Sequence, residues 1–283
     1  MERLVILLAC LISLTSHLAA ADTHTLISYN IRNDNAGDKG PRDWQARKNK
    51  LTNYLLESKA SIIGLQEVKH NQLVDVDKAL PDHDHVGVGR IDGKTAGEYS
   101  PIFYNRRFWK LDPEQHGTYW LSDTPDTPNS MTWGNRYPRI CTWARLIGIG
   151  GEVKGKAIYV YNTHWDHISQ PSRLRSGQLM LERVKSRAHE EEPVILMGDL
   201  NANTDNPAVK HLLGSRILVD HSQKQVSTSS RWKPEIAEGK RIDHIFTSPS
   251  FKKAQFKVES ARGVDGHAAS DHHPVVLRLL SLP

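Results

Sequence analysis

The stretch Val194-Ile195-Leu196-Met197-Gly198-Asp199-Leu200-Asn201-Ala202-Asn203 decides how this chain reads. It starts as an apolar run and ends in a carboxylate and an amide. Pro193 and Gly198 bound Val194 to Met197, so the run reads as a short buried strand. The polar tail then falls at the strand's C-terminal end, where α/β sheets bind ligands. Asp199 and Asn201 are two apart, and on extended backbone they share a face. A base beside an uncharged amide suits a site that orients a nucleophile next to developing negative charge. Taken alone, the stretch reads better as an Asx-rich turn. The other strand ends reverse that preference.

The same polar ending recurs along the chain. A strand over 26–32 contains Asn30, and one over 61–67 ends on Glu67. Gly97-Glu98-Tyr99-Ser100 leads into another. A strand over 156–164 runs into Asn162-Thr163-His164-Trp165-Asp166-His167. Arg241-Ile242-Asp243-His244 and Ser270-Asp271-His272-His273-Pro274 complete the set. Turn chemistry accounts for one such ending but not for the whole series. Glu67, Asp199, Asp243 and Asp271, with two Asn, form an oxygen-rich set. Hard oxygen ligands suit Mg²⁺, Mn²⁺ or Ca²⁺ rather than a thiolate zinc site. Imidazoles with carboxylate partners add acid–base or charge-stabilising groups.

Between these strands, apolar spacing predicts helices over 44–57, 71–80, 171–190 and 207–213. Short strands are expected over 85–89, 99–104, 108–111, 117–121, 140–149, 255–259 and 274–280, and 219–239 reads as irregular. A strand-rich pattern with intervening helices, twice over, implies an α/β fold. The expected architecture is a single four-layer α/β sandwich over 22–283: two packed sheets, mainly antiparallel or mixed, with helices outside.

The chain has 283 residues, 38% hydrophobic and 24% charged, which fits a soluble globular domain with a sizeable core. Its net charge of +5 is compatible with a polyanionic partner. The basic residues are scattered, however, and no long basic run interleaved with aromatics marks a nucleic-acid binder. No exposed apolar hairpin for membrane insertion is evident. Leu4 to Leu18 is mostly apolar, and Ala19-Ala20-Ala21 offers a small-residue cleavage site. Residues 1–21 therefore read as a secretory signal, which sends the domain to the periplasm or the cell exterior. A lipoprotein reading at Cys10 and a retained anchor are weaker, because the apolar run is short. Cleavage leaves Cys141 alone, so no internal disulfide is expected and stability must come from the core; a monomer is also expected.

In order, Gln66-Glu67, Asn162-Thr163-His164, Gly198-Asp199-Leu200-Asn201, Arg241-Ile242-Asp243 and Ser270-Asp271-His272 resemble the endonuclease/exonuclease/phosphatase superfamily. The resemblance spans the mature chain. Gly87-Val88-Gly89-Arg90, Tyr119-Trp120-Leu121-Ser122 and Pro138 to Arg145 are similar to an exported bacterial branch. The resemblance implies a phosphodiester or phosphomonoester hydrolase using Mg²⁺ or Mn²⁺, with a nuclease expected first. A lipid or small-molecule phosphoesterase of the same fold is the alternative. By position it implies Glu67, Asn30 and Asp271 as metal-side groups. Asp199 activates the water and Asn201 holds it or a phosphate oxygen. His164 and His272 contact the phosphate, with Glu98 and Asp243 as their respective carboxylate partners. Arg139, Asp166, His167 and Arg32 are expected on the substrate side. Residues 228–232 depart from the branch pattern.

Two rivals stand beside this reading. Asn162 to His167 resembles a His-x-His-x-Asp-His zinc motif with its first His replaced by Asn162, which removes one ligand. A non-catalytic binding module that kept the fold requires loss of a central site residue, and none is lost.

Overall fold

Alternation along β1 (His24–Asn30) sets the layers: Leu26 faces one side, Ile27 and Tyr29 the other. The computed structural model describes residues 24–222, 226–281 and 283. The signal segment over 1–21 lies outside the described residues.

β1 pairs in parallel with β2 (Ile62–Gln66), placing Asn30 opposite Gln66. β12 (Val275–Leu279) runs antiparallel on the other side of β1. With β3 (His83–Val86), β4 (Ile102–Asn105) and β11 (Ala254–Val258), the first sheet has the order β11-β12-β1-β2-β4-β3. The second sheet is built from β5 (Trp109–Trp120), β6 (Ile140–Gly148), β7 (Ala157–His164), β8 (Val194–Asp199), β9 (Val219–Asp220) and β10 (Asp243–Thr247). Its order is β5-β6-β7-β8-β10-β9, with β7 and β8 parallel and its other pairs antiparallel.

Leu26, Ile62, Ile195, Met197, Ile245 and Val275 fill the seam between the sheets. Helices α1 (Trp44–Ser58) and α2 (His70–Ala79) cover the outer face of the first sheet through Trp44, Leu51, Leu55 and Val76. Helices α3 (Gln170–Lys185) and α4 (Pro207–Gly214) cover the second through Met180, Val184, Val209 and Leu212. The expected four-layer sandwich with mixed sheets is the observed one.

Three local expectations change. The strands over 108–111 and 117–121 are one strand, β5, whose register shifts between Leu111 and His116, where Pro113 interrupts it. The helix over 171–190 stops at Lys185. There the Arg187 guanidinium takes the carbonyls of Val184 and Glu192 and turns the chain back. The irregular segment over 219–239 contributes β9 and a bridge between Val226 and Glu238.

The seam carries a polar clamp below the site. Asn162 Nδ2 donates to the carbonyls of Leu65 and Pro101, both at 2.8 Å, and its oxygen accepts from Gln66 Nε2 at 2.7 Å. Asn162 is thus a cross-sheet strut, not a lost zinc ligand. Gly64 lies beside it: a Cβ there meets Met197 Sδ at 2.4 Å and Asn162 Cγ at 2.9 Å. Gly64→Ala is expected to destabilise the fold by about 1–3 kcal/mol through overpacking. Thermal unfolding checks this, and an unchanged Tm contradicts it.

Candidate active site

Asn30 and Asp199 both end strands on the seam side, at the same end of the sandwich. Asn30 Nδ2 donates to Asp199 Oδ2 and to Glu67 Oε1, each at 3.0 Å. Strand register supplies the neighbours. Asp199 sits opposite His164 of β7 and opposite Asp243 of β10. Gly198 makes that closeness possible, since a Cβ there falls 2.0 Å from the Thr163 carbonyl oxygen. His272 arrives from the loop before β12. Its Nδ1 donates to Asp243 Oδ2 at 2.9 Å, and its Nε2 lies 3.8 Å from Asp199 Oδ2. His164 Nε2 lies 3.5 Å from the same oxygen.

Three non-glycine residues here adopt left-handed backbone: Arg32 (φ 56°), Glu67 (φ 60°) and Asn201 (φ 47°). Such conformations cost about 1–3 kcal/mol each and persist where the surroundings enforce them. Glu67 is held by Asn33, whose backbone N–H and Nδ2 donate to Oε2 at 3.1 and 2.9 Å. The Asn201 N–H donates to Asp199 Oδ1 at 2.9 Å, and its Nδ2 donates to the Trp165 carbonyl at 3.0 Å. The Asx turn and the site are therefore the same object.

Charges are distributed unequally. Burial opposes ionisation of His272, but Asp243 and Asp199 outweigh it and hold the imidazole well above its ordinary pKa. His272 is a buried cation. His164 goes the other way: burial, then Arg139 and Arg90, push it well below its ordinary value. It is a neutral hydrogen-bonding group, not the second imidazolium that a phosphate-binding role suggests. Burial and Asp243 raise Asp199, against the opposing charge of His272. Burial also acts to raise Glu67, yet hydrogen bonds from Asn30 and Asn33 and the charge of His272 bring it below the usual carboxylate range. Burial, with Glu67 nearby, raises Asp271.

Glu67 and Asp271 thus crowd negative charge at one edge of the site, with Arg32 3.9 Å from Asp271. These hard oxygen donors fit a divalent cation held by one or two carboxylates, waters and substrate oxygens. Asp199, Asp243 and His272 also lie close enough to ligate an ion. His272 Nδ1 is committed to Asp243 and carries a proton, so this trio reads better as an ion-pair relay. Among the described residues, His164, Asp166 and His167 form no ligand group with one another, which removes the zinc rival's motif.

A cavity of about 540 Å³ opens over these groups and includes Glu67, His164, Asp199, Asn201 and His272 in its wall. Arg32, Arg139 and His167 line it too. Arg139 Nη2 meets His167 Nδ1 at 3.0 Å. One expectation is corrected. Glu98 is not the ion-pair partner of His164: it pairs with Arg90 at 2.8 Å and accepts from Asn33 Nδ2 at 3.3 Å. The loop folds that way because the Arg90 N–H donates to the Glu98 carbonyl, setting the two residues side by side. Asp166 is fully buried and acts from behind the wall, its Oδ2 3.7 Å from Nε of Arg139, which does line the cavity. Its Oδ1 accepts from Ile168 and Ser169 N–H groups at 2.9 and 2.7 Å, ordering the turn into α3. The divergent segment over 228–232 is a buttress. Thr228 Oγ1 accepts from the N–H of Ile242 and Asp243, while the Ser230 and Arg231 N–H groups donate to the Asp271 carbonyl.

Asn33, Tyr137 and Arg47 are functional neighbours with no mark in the sequence, and Arg90 enters there only through the Gly87-Val88-Gly89-Arg90 motif, with no role. Arg90 lies over the Tyr137 ring at 5.5 Å, and Tyr137 stacks on His167. Arg47, fully buried on α1, donates to the carbonyls of Ile31, Arg32 and Ala269, so it holds the Arg32 loop against the Asp271 loop. The glycines of that motif were the available signal for Arg90. Nothing local marks Arg47, which looks like any helical arginine.

The model of the endonuclease/exonuclease/phosphatase family matches residues 27–272. A comparison with curated proteins found no match. Among solved structures, a family member from Bacteroides thetaiotaomicron is 32% identical with a TM-score of 0.79, covering 90% of this chain and 97% of that one. One from Bacteroides vulgatus is 30% identical with a TM-score of 0.78, covering 90% and 98%. A mannosyl-6-phosphatase from Bacteroides thetaiotaomicron is 32% identical with a TM-score of 0.77, covering 90% and 98%. A family match over most of the length, on a fold and site of this form, has one meaning: the chain belongs to the endonuclease/exonuclease/phosphatase family.

Proposed function

We propose that this chain is an exported, divalent-cation-dependent phosphoesterase acting on a small, hydroxyl-rich phosphate ester. The carrying observation is that Asp199 lies between two imidazoles, one cationic and one neutral, beside the Glu67–Asp271 edge. A phosphate ester repels nucleophiles because it is anionic, so hydrolysis needs positive groups and an oriented water.

Glu67 and Asp271 would hold Mg²⁺ or Mn²⁺, with Ca²⁺ as the alternative. That ion supplies charge neutralisation on a phosphate oxygen. Asp199 receives a proton from the attacking water, and Asn201 orients it. A bond forms from the water oxygen to phosphorus, and the bond to the ester oxygen breaks. The His272 cation stabilises the charge on the non-bridging oxygens, and His164 donates a neutral hydrogen bond. The departing alkoxide takes a proton from solvent and leaves as the alcohol, and Asp199 returns the proton it accepted to solvent.

Two observations favour a small substrate over the nuclease first expected. The cavity is walled by the Arg90–Glu98 pair and by Tyr137 stacked on His167. The mannosyl-6-phosphatase likeness covers nearly the whole of that protein. Arg139, Arg90 and His167 are placed to read hydroxyls beyond the phosphate. The signal segment and the scarcity of thiols support export. Among the described residues no helix is long and apolar enough to cross a membrane.

The test is a panel of hexose phosphates, bis-p-nitrophenyl phosphate, plasmid DNA, RNA and sphingomyelin with Mg²⁺, Mn²⁺ or EDTA. Hexose phosphate turnover abolished by EDTA is expected. DNA or RNA as the only substrate restores the nuclease reading, and activity that survives EDTA overturns metal dependence. In the same assay Glu67→Gln is expected to raise the Mg²⁺ concentration for half-maximal activity by about tenfold or more. An unchanged Mg²⁺ requirement removes Glu67 from the ion.

A further inference from the structure

The outer face of the second sheet carries a half-buried indole, Trp143, set on the buried rings of Tyr119, Tyr159 and Tyr161, that the proposed chemistry does not use. Trp143 of β6 lies opposite Tyr161 of β7 on one side and Gly117 of β5 on the other. Its indole runs nearly parallel to the rings of Tyr161 (6.5 Å, 21°) and Tyr159 (6.3 Å, 15°). Gly117 lets the indole lie close against β5, since a Cβ there falls 3.2 Å from Trp143 Nε1. The Tyr159 hydroxyl donates to Gln115 at 3.2 Å, which fixes its ring. The rings are therefore set before any ligand arrives.

Two cations border this surface. Arg183 lies over the Tyr119 ring at 5.3 Å, and Arg187 over Tyr159 at 5.9 Å. Among the described residues neither charge is closely matched by a carboxylate. There Arg183 reaches only the exposed Asp126, at 3.9 Å, and Arg187 donates to the backbone carbonyls of Val184, Glu190 and Glu192. Arg145, by contrast, is consumed by Glu192 and Asp112. A cavity of about 280 Å³ lies among Trp143, Tyr119, Tyr161, Arg183 and Arg187. Trp143 stands four residues along from Arg139, about 13 Å at strand rise, so this cavity is separate from the candidate active site.

We propose that this cavity binds a saccharide ring bearing an anionic group. The apolar face of the ring stacks on Trp143, and the anion meets Arg183 and Arg187. The rigid, half-buried Trp143 indole suits the C–H face of a sugar, and the positive charges of Arg183 and Arg187 select acidic sugars over neutral ones. The inference does not depend on the catalytic reading.

The probe is a sulfated dextran oligosaccharide, with neutral dextran of equal length beside it, titrated calorimetrically into the full domain. Binding of the sulfated probe is expected in wild type and unchanged in Asp199→Asn. Trp143→Ala and Arg183→Glu are each expected to weaken it roughly tenfold. Lys252→Glu, an exposed change elsewhere, is expected to leave it intact. Arg183→Glu is also expected to keep full turnover of a small soluble phosphate ester. Should Trp143→Ala fail to fold, Arg183→Glu decides. No binding by wild type, equal binding of neutral dextran, equal weakening by Lys252→Glu, or full affinity in Arg183→Glu overturns the proposal.

Discussion

Asp199→Asn is expected to lower kcat by about 10²–10⁴-fold while raising the melting temperature. The loss follows from removing the one carboxylate that faces both imidazoles and receives the Asn30 amide. The gain in stability follows from burial. Burial and Asp243 raise the Asp199 carboxyl, so the folded state resists its ionisation. A group with a raised folded pKa contributes fully below its unfolded pKa and loses that contribution as pH rises through the folded value. Asparagine never ionises and escapes the loss. With EDTA present, the gain in Tm is expected to be larger near about pH 8 than near about pH 5. Equal destabilisation at both pH values, together with lost activity, makes Asp199 structural.

The second large effect is expected from Asp243→Asn. Asp243 is fully buried and accepts from His272 Nδ1 at 2.9 Å. Burial alone would discharge the imidazole; Asp243 and Asp199 hold it well above its ordinary pKa. Its contribution to stability is therefore complete below the ordinary imidazole pKa and fades as pH rises through the higher folded value. Breaking a buried pair leaves an uncompensated group and costs about 3–5 kcal/mol. Turnover is expected to fall by about 10²–10³-fold, because the phosphate loses its cation. The alkaline limb of the kcat profile is expected to move to lower pH. An alkaline limb that stays in place while kcat falls removes the cationic role of His272.

The layers and the site are legible in the sequence for one reason: strand alternation and polar strand ends are local signals. Asn30, His164 and Asp199 end their strands, so strand ends alone put them at one edge, and Glu67 follows β2 directly, turned in by its left-handed backbone. Glu98 misled because its partner, Arg90, is chosen by the path of a loop, which spacing does not encode. Asp166 is ambiguous for a related reason: an acid after a strand serves a turn, a neighbouring arginine or a substrate equally well, and only burial separates them. Arg47 was invisible because its work is tertiary, reaching carbonyls on two distant loops. The charge difference between His164 and His272 was also out of reach. It depends on which residues the other strands bring alongside, Arg139 in one case and Asp243 in the other.

The central claim is that residues spread over most of the chain share one cation and one phosphate. Crystals soaked with Mn²⁺ and inorganic phosphate, read by anomalous diffraction, test it directly. The expected map has manganese at Glu67 and Asp271, and a phosphate touching His272, His164 and Asn201. Manganese confined to His189, Glu191 and Glu192, the other close ligand group among the described residues, with phosphate bound outside the Asp199 cavity, contradicts it.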